Sequence, residues 1–180
     1  MRAVPAPTVT RVLRAAQVLL QGAYVGAIVV GTPAGYLGPG NIIRGDDSRF
    51  YEYAARHVPW DPIAAKMAPL MPAVYSASGA NPRVLVIVQT VLAVLAWQWL
   101  ASAAGAFVAR PWLRCALVAA VLGISVTPEV IIWNVAIGSE GVAMSLMAAM
   151  VAALLRAVRL RTPAAWTVAG SLVALSMLAR

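Results

Sequence analysis

Apolar runs of about twenty residues alternate with short polar breaks along this chain, a pattern that predicts helices crossing a bilayer. Val84 to Ala109 contains no charged residue and is the clearest run. Val12 to Val30 has Arg14 near its start, where a long basic side chain can reach the interface. A third run starts at Cys115 and meets Thr127-Pro128-Glu129. Proline lacks the amide donor of an interior helical residue, so this helix ends or kinks there before Ile131 to Asn134 reach the interface. A fourth run extends from about Ile137 to Leu155 with Glu140 in its first turn, and Pro163 to Ala179 forms a fifth. The expected fold class is therefore an all-α, polytopic transmembrane helix bundle of about five spans, at 12–30, 84–109, 115–132, 137–155 and 163–179. Arg110-Pro111-Trp112-Leu113-Arg114 reads as a tight basic turn between two of them.

Residues 31–83 are too polar and too rich in proline to span, and they form the first loop. Gly31 to Gly40 ends the first helix, because glycine and proline mark turns. Asp46 to Val58 reads as a short helix lying along the membrane surface. Its Phe50, Tyr53, Ala54 and His57 share a face at i, i+3, i+4 and i+7, and acids at its start suit the positive end of the helix dipole. Pro62, Pro69 and Pro72 break the rest into short pieces, while Trp60 and Tyr75 have the amphipathic rings favoured at headgroup level.

Composition agrees with the membrane reading. Hydrophobic residues make up 62% of the chain and charged residues 11%, outside the balance of a soluble domain. The formal charge of +8 comes from basic residues scattered between apolar runs, so it reads as topology and not as a nucleic-acid footprint. With the N-terminus cytoplasmic, inward segments hold Arg2, Arg11, Arg14, Arg110, Arg114, Arg156, Arg159 and Arg161, and no acid. All six acids then face outward, as the positive-inside rule for Lys and Arg in short loops allows. The N-terminal run is too long for a signal-peptide core of about 7–15 residues and is taken as an uncleaved first span. Cys115 stands alone in an apolar run, which excludes a disulfide framework or thiolate cluster and leaves a small buried side chain.

Three of the six acids, Asp46, Asp47 and Glu52, lie in one short stretch of the first loop. A single aspartate suffices to cap a helix, so a cap explains the pair only in part. Glu52 and Arg56 at i, i+4 make an ordinary surface pair. His57 is the only histidine, which argues against a metal role. Trp97 and Trp99 sit in an apolar run and read as lipid or helix contacts. An acid deep in a bilayer is costly, about 2.5–3.5 kcal/mol on insertion scales, so Glu140 should face a polar cavity or the interface.

Asp46-Asp47-Ser48-Arg49-Phe50-Tyr51-Glu52-Tyr53-Ala54, in the first outer loop after one transmembrane helix, resembles the acidic signature of GT-C-type membrane glycosyltransferases. The pattern is similar to that of the protein O-mannosyltransferase and lipid A aminoarabinose transferase branch: an acidic pair, an Arg-aromatic pair, then an acid and Ala. Asp47 stands where glutamate is common. Trp133-Asn134 followed by Ile137-Gly138-Ser139-Glu140 is similar to a segment where those enzymes carry a further acid. The resemblance covers the front part of the family, which implies a truncated protein. It further implies a transferase in the plasma membrane with its site on the extracytoplasmic face. Its donor would be a polyprenyl-phosphate-linked sugar and its acceptor a hydroxyl on a lipid, glycan or protein. Asp46 would be the base beside Asp47, and Arg49 or Arg44 would bind the phosphate. Glu140, with Glu129 behind it, would position the acceptor or hold a divalent cation. The alternative is a non-enzymatic multispan protein, a transporter or assembly subunit, with acids along an ion path. Against it, apart from Glu129 near the outer end of the third, only the fourth span carries an acid, whereas proton relays place such groups within the bundle.

Overall fold

A computed structural model describes residues 7–31, 43–44, 48–56 and 69–179. These form α1 (Pro7–Gly31), β1 (Ile43–Arg44), α2 (Ser48–Arg56), α3 (Leu70–Ala77), α4 (Pro82–Gly105), α5 (Pro111–Ser125), α6 (Pro128–Val135), β2 (Ala136–Ile137), α7 (Ser139–Leu160) and α8 (Pro163–Leu178). Five of the described helices open on proline. At that position the missing amide has no intrahelical acceptor to lose, and the fixed φ already suits a helix. Asn81 caps α4 by accepting from Arg83 N at 3.0 Å, and the Thr162 side chain caps α8. Arg110 to Arg114 is consequently not a free turn: Pro111 to Arg114 is already the first turn of α5.

α4 is the central helix and packs most extensively against α7, then α5, with α1 also touching it; α8 packs on the far side of α7. Lipid tails are as apolar as leucine, so such helices associate through close packing and interhelical hydrogen bonds instead of water exclusion. Both central helices bury small residues accordingly: Ala93 and Ala96 on α4; Gly141, Ser145, Ala148 and Ala152 on α7. Gln21 Nε2 of α1 donates to Ser102 Oγ of α4 at 3.2 Å, and Gln98 Nε2 donates to the Gln21 carbonyl at 3.2 Å. Trp97 and Trp99 pack against buried clusters, in keeping with a role in helix contacts. Cys115 is a half-buried free thiol.

Among the described residues two helices, α4 and α7, are long and apolar enough to cross a membrane, and a third span arises if the bent pair α5–α6 is taken as one. That pair bends by 56° at Val126-Thr127, the break that Pro128 predicts. α8, at 16 residues, is shorter. Ile87, Val91 and Leu95 of α4 recur at four-residue spacing and are exposed. An apolar stripe of this kind suits lipid as its surroundings.

α4 and α7 run parallel, with α5 and α8 returning. The bundle therefore has two ends. One end carries the C-termini of α4 and α7 with Phe107, Arg156 and Arg159; the other carries Trp133, Glu140 and Met177.

Part of the first loop packs against the bundle. α2 turns Ser48, Tyr51 and Ala54 inward, while Phe50 and Tyr53 are exposed. Of the expected shared face, Phe50 and Tyr53 are exposed, as a helix lying along a surface allows, Ala54 is buried, and His57 lies outside the described residues. Tyr75 is buried, with Met71, Leu85, Tyr51, Ile137 and Val142, in a cluster joining α2 and α3 to the bundle. Pro72 sits in the first turn of α3, where a missing amide costs little.

Candidate functional site

The chain unwinds between α6 and α7, and this break organises the end that carries Glu140. Ala136 and Ile137 leave the helix to form β2, paired in parallel with β1: Ile43 opposite Ala136 and Arg44 opposite Ile137. Backbone carbonyls freed by such a break need donors, because buried unpaired polar groups are costly. Ser48 Oγ, fully buried at the start of α2, donates to the Ile137 carbonyl.

Gln89 supplies a second donor from α4. It is fully buried, about two turns below the start of that helix. Its amide nitrogen is 3.3 Å from the Gly138 carbonyl; with the amide turned over it is 3.2 Å from both Asn134 O and Ala136 O. The turned-over form is favoured, since the amide oxygen otherwise faces only carbonyls. Gln89→Leu should therefore lower stability by about 1–3 kcal/mol, the cost of a buried group left unpaired. Gln98→Leu should be milder, because the Gln21 carbonyl lies within α1 and has helical partners. Equal melting temperatures for the two variants in detergent would contradict this.

Close approach at the break depends on Gly141. A Cβ there would lie 2.5 Å from the Trp133 carbonyl oxygen and 3.4 Å from Asn134 Cα, both backbone atoms. The absent side chain lets the start of α7 sit on the end of α6.

The expected site residues divide as follows. Arg44 is in β1, opposite Ile137, and Arg49 is exposed on α2. Asp46 and Asp47 lie outside the described residues, but the chain on either side of them is tied to Ile137, at β1 and at Ser48. Glu140 is exposed in the first turn of α7, its carboxylate turned back over Gly138. Glu129 is exposed in the first turn of α6. The two stretches that carried the family resemblance, 46–54 and 133–140, therefore meet in the fold. Ser48, Gln89 and Gly141 hold that meeting together and were missed as site residues. Gln89 had left a trace, as a polar residue inside the uncharged run from 84 to 109.

A groove of about 790 Å³ runs from this break along α7 and α8. Ser139 and Glu140 form its polar end; Met144, Met147, Met150 and Met177 line its apolar length. Unbranched thioether side chains adapt to an irregular or flexible guest. Among the described residues no group of three or more His, Cys, Asp or Glu stands together, so they do not by themselves make a cation site around Glu140 or Glu129.

The fold and this arrangement define the class: a mostly helical protein, with two or three helices fit to cross a membrane, whose first loop docks on a broken helix. No family model, curated protein or solved structure matches the chain.

Proposed function

We propose that the chain is part of a GT-C-type membrane glycosyltransferase with five spans and a cytoplasmic N-terminus. It moves a sugar from a polyprenyl-phosphate donor to an acceptor hydroxyl at the extracytoplasmic face. The observation that supports this reading is the docking of 43–44 and of Ser48 onto 136–137, which ties the chain on either side of the acidic pair to the segment that leads into Glu140. The donor enters laterally, with its isoprenoid chain along the methionine-lined groove and its phosphate at the polar end. Asp46 takes the acceptor proton as the acceptor oxygen bonds to the anomeric carbon and the polyprenyl phosphate leaves. Asp47 tunes the base. Arg49 or Arg44 binds the phosphate through charge-assisted hydrogen bonds, and Glu140, with Glu129 beyond it, orients the acceptor.

The reading is tested by donor consumption in proteoliposomes containing the protein expressed from its full reading frame. Release of polyprenyl phosphate that requires an acceptor is the expected result. Ion flux without sugar transfer would instead identify a transporter.

Topology has its own test, motivated by the charge difference between the two ends of the bundle. In a Cys115→Ala background, Ala77→Cys should react with an impermeant thiol reagent added outside, and Thr162→Cys should not. Both positions are exposed, so access to the reagent depends on the side of the membrane alone. Labelling of position 162 but not 77 would invert the orientation and put the acidic loop in the cytoplasm.

A further inference from the structure

At the opposite end of the bundle, a pocket of about 380 Å³ opens between the last turns of α4 and α7. Trp99, Ser102 and Phe107 line one side, and Arg156, Arg159 and Leu160 the other. Arg156 and Arg159 share a helix face at i, i+3, and both are exposed. The sequence has no carboxylate from Val84 to Thr127 or from Gly141 to Arg180, so neither α4 nor α7 offers an acid near this end to neutralise them. Ser102 Oγ accepts from Gln21, and a hydroxyl that accepts still has a proton to donate.

The ordinary reading makes these arginines topology signals, with Arg159 also offsetting the negative end of the α7 dipole. That accounts for their charge and position. It does not account for a cavity in which two guanidinium groups, a hydroxyl and two aromatic rings line one space. We propose that this pocket binds the phosphodiester headgroup of an anionic phospholipid from the adjoining leaflet. The planar guanidinium forks match phosphate oxygens, Ser102 adds a donor, and the rings of Trp99 and Phe107 suit the depth where headgroup meets chain. Basic pockets between membrane helices hold anionic headgroups by this combination of charge and enclosure.

The test is native mass spectrometry of the full chain, released from detergent containing equal amounts of phosphatidylglycerol and phosphatidylcholine. The wild type should retain one phosphatidylglycerol in preference. The double variant R156Q/R159Q should bind it roughly 30-fold more weakly. R110Q/R114Q removes the same charge from the same end without touching the pocket lining, and should bind as the wild type does. Equal losses in both double variants would reduce the effect to diffuse surface charge. Absence of a preference in the wild type, a readout that needs no variant to fold, would remove the site altogether. Displacement of the lipid by equimolar inorganic phosphate would assign the pocket to a free anion instead of a lipid.

Discussion

Asp46→Asn is expected to lower sugar transfer by roughly 100- to 10,000-fold while leaving the folded yield in detergent unchanged. Asparagine keeps the size and most of the hydrogen bonding of aspartate but cannot take the acceptor proton. Asp47→Asn should be milder, because a neighbour that tunes the base contributes less than the group that receives the proton. A structural role predicts another pattern. α2 begins at Ser48, so the residue in position to cap it is Asp47. Asparagine caps about as well as aspartate, and alanine costs about 1 kcal/mol. If the pair only capped the helix, both asparagine variants would be nearly silent and Asp47→Ala would lower stability. The measurement is donor consumption beside folded yield, for Asn and Ala at each position. Normal turnover in Asp46→Asn would take the chemistry away from this residue, and normal turnover in the double Asn variant would take it away from the loop.

The helices were legible because each depends on a feature that a sequence displays directly: uninterrupted apolar length for α4 and α7, and proline for the starts of α5, α6 and α8. The expected span at 84–109 corresponds to Pro82–Gly105, and that at 137–155 to Ser139–Leu160. The inward face of α2 was not legible. Phe50 and Tyr53 are its more conspicuous apolar residues, yet they are exposed, while the smaller Ser48 and Ala54 turn inward with Tyr51. The burial of Tyr75 was not legible for a related reason. Proline spacing suggested an irregular surface segment, whereas α3 folds back and buries its large side chains. The meeting of 43–44 with 136–137 had no periodic signal at all, since two-residue strands leave none. The Ser48 bond that secures it joins residues 89 apart in sequence. Only the resemblance of both stretches to one family, and the outer face to which the charge pattern assigned them, suggested that they belong together.

Gly141 gives that meeting its most sensitive point, and Gly141→Ala should be the most damaging conservative change in the described part of the chain. Within a helix, alanine normally replaces glycine with a gain of about 0.5–1 kcal/mol. Gly123, inside α5, has nothing within 4 Å of an added Cβ, so Gly123→Ala should show that gain. At Gly141 the same methyl meets the Trp133 carbonyl oxygen and carbon, at 2.5 and 3.2 Å. A flexible side chain could rotate away, but these atoms belong to the backbone at the end of α6, so the start of α7 has to move instead. Overpacking of this kind costs about 1–3 kcal/mol. The displacement would also pull Ile137 from Ser48 and disturb the bonds of Gln89 to Asn134 and Ala136, loosening the first loop together with Glu140. Gly141→Ala should therefore lower both melting temperature and transfer activity, while Gly123→Ala raises the first and leaves the second unchanged. Equal melting temperatures for the two alanine variants would mean that α6 and α7 do not make this contact, and that the break between them is held by Gln89 and Ser48 alone.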